Sequence, residues 1–146
     1  METQAPCLQK LADKDKWAYA GDWVCAIVLK DEGVLHLKIK RGYWTDLASV
    51  PQALRGAFDN GSGHYGVLIS SQVHDAIYST HYFSKEFADQ IFYSLLRYFG
   101  MGYIKAKLYY MAVDLFGNRA WDFLSEDEAL KDRELVKFQW LSKVNL

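Results

Sequence analysis

The alternation of apolar and polar positions is clearest near the N-terminal third. Val34–Lys40 (VLHLKIK) places Leu35, Leu37 and Ile39 on one face and His36, Lys38 and Lys40 on the other, which predicts a strand with one wet face that carries His36. Trp23–Lys30 (WVCAIVLK) is apolar at both parities and rich in β-formers, which predicts a strand buried on both faces. Asp31-Glu32-Gly33 between them predicts a turn, so the two runs make a hairpin. Gly42–Leu47 continues extended, Pro51 keeps Val50 out of the helical region, and Asn60-Gly61-Ser62-Gly63 predicts an exposed loop. Then the period changes from two to that of a helix. Val67–Ser79 predicts a first helix, and Lys85–Phe99 a second, capped by Ser84 and ended at Gly100. Met101–Phe116 predicts a third, ended by Gly117. Ser125 with Glu128 forms a capping box that opens a fourth helix to about Leu141. Residues 1–20 carry little pattern and predict an irregular or short helical lead. Strands at 21–47 followed by helices over 67–141 predict an α+β fold, a single domain over residues 1–146 with a small antiparallel sheet packed on about four helices.

Composition agrees with one globular domain and narrows the partners. The chain has 146 residues, 51% apolar and 24% charged, which excludes a disordered, collagenous or low-complexity chain. Seventeen basic against eighteen acidic residues give a net charge of −1, so a nucleic-acid partner is not expected. The longest apolar run, Trp23–Leu29, is too short to span a membrane, and the N-terminal residues do not read as a secretion signal; synthesis in a cytoplasm is the expectation. Cys7 and Cys25 have no CxxC spacing and read as reduced thiols. Aromatic residues reach 16%, enough to fill a core and leave some for an oligomer interface. The tip Phe138, Trp140 and Leu141 is a further docking candidate.

Candidate chemistry gathers on the predicted helices. His74 and Asp75 are adjacent, with Tyr78 one turn after His74 and able to share its face. Asp89 falls at the edge of the apolar stripe of the second helix, where a carboxylate needs a partner. With Asp46, the set offers one imidazole and three carboxylates. It could hold a divalent metal, orient a histidine base, or form a structural polar network. Arg119 reads as a clamp on one of these aspartates or as a holder of an anionic ligand. There is no GxSxG elbow, HExxH or phosphate loop.

Four blocks in order resemble the domain-of-unknown-function family 1353: Gly42–Pro51 (GYWTDLASVP), His74–Tyr78 (HDAIY), Ala88–Tyr93 (ADQIFY) and Tyr110–Trp121 (YMAVDLFGNRAW). One detail departs from the family's pattern: Gln52 follows Pro51, where an arginine or lysine is common. The resemblance implies a phage or prophage protein without an established activity, made in the host cytoplasm and able to enter the virion. It directs attention to Asp46, His74, Asp75 and Asp89; beside them, Thr45, Tyr78 and Arg119 are candidate ligand- or charge-stabilising residues.

Three functions follow as expectations. The first is a virion, tail-associated or assembly component that binds phage structural proteins or a host protein. The second is a small metal-dependent hydrolase of cell wall, peptide or nucleotide. There His74, Asp75 and Asp89 hold the ion, Asp46 accepts a proton and Arg119 steadies negative charge. The third is an anti-defence protein that binds a host factor or signal nucleotide.

Overall fold

The computed structural model describes residues 6, 8–11, 16–29, 32–45 and 64–141. Cys7, Asp31, Asp46, the Val50-Pro51 break and the glycine loop at 60–63 lie outside the described residues.

The architecture is α+β. Among the described residues, six strands form two antiparallel three-stranded sheets, accompanied by four helices. The expected hairpin forms: β3 (Trp23–Leu29) pairs with β4 (Gly33–Ile39), with Cys25 opposite Leu37. Gly33 takes a φ of 112° at the turn, a conformation that favours glycine. Only one face of β3 is buried, however. Trp23, Cys25 and Ile27 point inward, while Val24 and Val28 are exposed on the outer face beside Lys38 and Val34. Its apolar residues at both parities reflect β-propensity on the outer face rather than burial there.

The largest departure from expectation is at the C-terminal end. The helix opened by Ser125 is short, α4 (Glu126–Asp132), and its capping box forms as expected. The chain turns through Arg133–Leu135 and Val136–Leu141 becomes β6, paired along β4. Phe138 faces Leu37 and packs against the core, so the expected apolar helical tip is an edge strand. The fully buried Val136 completes a row with Ile39 and Trp23. The chain lead is corrected too: β1 (Leu8–Lys10) and β2 (Trp17–Tyr19) pair with each other, and β2 pairs with β5 (Trp44–Thr45) to make the second sheet.

The inner face of the β3-β4-β6 sheet packs on α1 (His64–Thr80) and α2 (Lys85–Tyr98) through Ile69, Val73, Ile77, Ile91 and Leu95. Ser84 caps α2 by accepting from the Phe87 amide at 3.2 Å. The other side of α2, Phe92 and Leu96, packs on Ala106, Tyr109 and Val113 of α3 (Tyr103–Phe123). That helix does not stop at Gly117. A Cβ at Gly117 would collide with the Tyr78 hydroxyl, so glycine serves a close approach between helices rather than a helix end.

Candidate functional site

Two helices and one short strand build the site. On α1, His74 and Asp75 are neighbours and diverge, as successive helical residues must. His74 turns inward to α2, where its Nε2 lies 2.7 Å from Asp89 Oδ1. Asp75 turns toward β5 and accepts from Thr45 Oγ1 at 2.7 Å. Tyr78, one turn after His74, donates to Asp89 Oδ1 at 2.9 Å, and its ring lies 4.1 Å from the imidazole. The expected face shared by His74 and Tyr78 is therefore present.

Asp89 is saturated. Its second oxygen receives Lys85 Nζ at 2.6 Å, and that ammonium also reaches the Asp114 carbonyl at 3.1 Å and Asp114 Oδ1 at 3.4 Å. Burial would raise the Asp89 carboxyl, but the hydrogen bonds from His74 and Lys85 outweigh it and hold its pKa below the usual range. Burial would lower the Lys85 pKa, yet Asp89 and Asp114 keep it above the ordinary lysine value. For His74 burial prevails over Asp89, and the imidazole pKa is lowered. Asp89 is thus an ionised acceptor, and Nε2 of a neutral His74 carries the proton between them. Three helices are joined at one buried carboxylate.

The predicted groups divide accordingly. His74, Tyr78 and Asp89 come together, and Thr45 joins Asp75. The expected metal trio does not assemble: His74 and Asp89 meet, while Asp75 faces β5, and among the described residues no three histidine, cysteine, aspartate or glutamate side chains are grouped to hold a metal ion. Arg119 is exposed on α3, is not a partner of Asp89 and does not line the cleft. The clamp expected of it is Lys85. The i, i+4 spacing of Lys85 and Asp89 is the signal that points there. A second arginine acts structurally: Arg133 donates to the carbonyls of Thr80 and His81 at 2.7 and 2.9 Å and so satisfies the C-terminal end of α1.

Beside this network lies a cleft of about 310 Å³ between β5, α1, the second half of α3 and α4. Its polar lining includes His74, Asp75, Ser79 and Asp132, and its walls include Trp44, Tyr78 and Phe116. Tyr43 donates to Ser79 at 2.8 Å and fixes that edge. Burial and the neighbouring Glu128 raise the Asp132 pKa above the usual aspartate value. Among the described residues that line the cleft, none is lysine or arginine.

Residues 23–113, more than half of the chain, match the family described as "Protein of unknown function (DUF1353)". The chain belongs to the DUF1353 family. The matched DUF1353 segment contains Thr45, His74, Asp75 and Asp89 and ends before Gly117 and Arg119. No curated protein and no solved structure matches the chain significantly. No helix among the described residues is long and apolar enough to cross a membrane.

Proposed function

We propose that this protein is a binding component of a phage or prophage, acting in the particle or its assembly, and that its cleft receives a basic side chain of a partner protein. The observation that carries the binding mode is the lining: two carboxylates, Asp75 and Asp132, among aromatic walls and without a lysine or arginine among the described lining residues. An ammonium or guanidinium group would find counter-charge at Asp75 and a ring face at Tyr78 or Phe116, while its aliphatic stem packs on Ala112 and Val113. The phage attribution rests on the sequence resemblance.

The test is calorimetric titration with a short peptide that contains lysine and arginine, against the same peptide with its lysines acetylated and its arginines replaced by citrulline. Binding to the first that falls at least tenfold with the uncharged peptide and in Asp75→Asn supports the reading. Equal binding of the two peptides, or none at millimolar peptide, overturns it.

A second reading, a hydrolase, is favoured by one observation: His74 lines the cleft with Asp89 behind it. Neutral His74 would accept a proton from water while Asp89 holds the ring. The mechanism expected to run through a metal held by His74, Asp75 and Asp89 finds no support in their divergent positions. Cleavage of peptidoglycan fragments, peptides or nucleotides by wild type, but not by a folded His74→Gln protein, would move the conclusion to catalysis.

A further inference from the structure

The helix α3 has two apolar sides, and among the described residues only one of them is packed. Ala106, Tyr109, Ala112 and Val113 face α2 and the core. On the other side Ile104, Leu108, Met111 and Leu115 are 76%, 53%, 47% and 65% exposed. At 100° per residue these four fall within an arc of about 60°, centred about 140° away from the buried side. Their spacing of four, three and four residues is that of a coiled-coil seam, in which each such residue packs between residues of a facing helix.

The seam is complementary to itself. Turned end for end, a second α3 brings Ile104 opposite Leu115 and Leu108 opposite Met111, with the two-fold axis between positions 109 and 110. The same operation brings like flanks together. Lys107 and Asp114 stand on one flank, seven residues apart, so each Lys107 meets the partner's Asp114 and the pair occurs twice. In a parallel arrangement Lys107 would lie beside residues of the other flank, and this pairing would be lost. Asp114 has the capacity: it keeps Oδ1 3.4 Å from Lys85, and its side chain remains more than half exposed. Lys107 is exposed as well, with its ammonium 4.6 Å from the Tyr110 ring centre.

We infer that the protein self-associates through an antiparallel pairing of α3 with α3 of a second copy, with Ile104, Leu108, Met111 and Leu115 as the seam and Lys107–Asp114 as the flanking ion pairs. The pairing covers apolar surface that water otherwise contacts along about 17 Å of helix.

Sedimentation velocity of the full chain over a range of concentrations tests this. Wild type should show a monomer–dimer equilibrium. Leu108→Glu and Leu115→Glu, both at exposed positions and verified as folded by circular dichroism, should each weaken the dimer roughly tenfold or more. Lys107→Asp should weaken it about fivefold. Direction is read by oxidative cross-linking. Chains with Leu108→Cys mixed with chains with Met111→Cys should cross-link faster than either alone. A monomer at every concentration, a dimer insensitive to both glutamate variants, or fastest cross-linking within the Leu108→Cys chains would each overturn the inference. So would an α3 seam that is covered only when a different protein is added.

Discussion

Asp75 and Asp89 look alike in the sequence and could hardly differ more in the folded protein. Asp89 is buried and receives His74, Tyr78 and Lys85, so both oxygens are spoken for. Asp75 is partly exposed, is oriented by Thr45, and faces a cleft. The first is a joint between helices. The second is positioned at an opening. A carboxylate in a folded protein becomes structural when its hydrogen-bonding capacity is filled by its own chain. It can serve a ligand when it borders a cavity.

The strongest way to break this contrast is to remove the joint. Asp89→Ala leaves a tyrosine hydroxyl and an imidazole N–H without their acceptor, and a buried ammonium that keeps only the longer contacts to Asp114 among its described partners. Loss of one partner of a buried pair costs about 3–5 kcal/mol, so this variant should lose much of its stability in urea denaturation. Lys85→Met should cost less, because Asp89 keeps two donors and the new side chain is apolar. If Asp89→Ala unfolded at the same urea concentration as wild type, the joint would be no joint.

Gly117→Ala attacks the same joint from a third helix. The added methyl displaces the Tyr78 hydroxyl and with it the bond to Asp89. Against that, alanine favours the helix by about 1 kcal/mol. The overlap should prevail, with a net loss of about 1–2 kcal/mol. A stabilised Gly117→Ala protein would mean that Tyr78 has room to move.

Acidification separates the members of the network. His74 is held neutral in the folded chain, with its pKa below the ordinary 6.5. The unfolded chain therefore binds the extra proton first as pH falls, and stability declines from about pH 6.5 downward. Asp89 has a lowered pKa, so its contribution is present above the ordinary aspartate value and is lost as pH falls through the lower folded value. Both effects have the same sign, at different pH. Lys85 behaves oppositely: its contribution is lost as pH rises above the ordinary 10.5. Subtracting the profile of His74→Gln from that of wild type should isolate the step just below pH 6.5. A flat difference there would mean that His74 is protonated in the fold.

Much of this was legible because it is local. The hairpin follows from alternation at Leu35, Leu37 and Ile39, and the starts of α2 and α4 follow from Ser84 and from Ser125 with Glu128. The site residues His74, Tyr78 and Asp89 were found because a carboxylate at the margin of a core requires donors. What escaped depends on distant partners. Lys85 reads only as the first residue of the second helix, and its further partner, Asp114, belongs to α3. Gly117 reads as a stop because glycine is poor inside helices, and the tyrosine that requires it belongs to α1. Val136–Leu141 does alternate, with Val136 and Phe138 facing the core, yet a capping box just upstream argues for a longer helix. Arg133 at the end of α1 is found only once the chain has returned there.

The mildest substitution sharpens the contrast most. Asp75→Asn retains the size of the side chain and an oxygen that can accept from Thr45. The position is partly exposed, and the bond from Thr45 can persist. Its cost to stability should stay below about 1 kcal/mol, the range of a single partly exposed hydrogen bond. The same change removes a carboxylate from the cleft, so peptide binding should fall at least tenfold. A protein that keeps its unfolding midpoint and loses its ligand would assign Asp75 to binding, as the loss of stability in Asp89→Ala assigns Asp89 to the fold. If instead Asp75→Asn unfolded as easily as Asp89→Ala, the bond to Thr45 would be a second structural joint between the small sheet and α1. The cleft would then have to draw its selectivity from Asp132 and its aromatic walls.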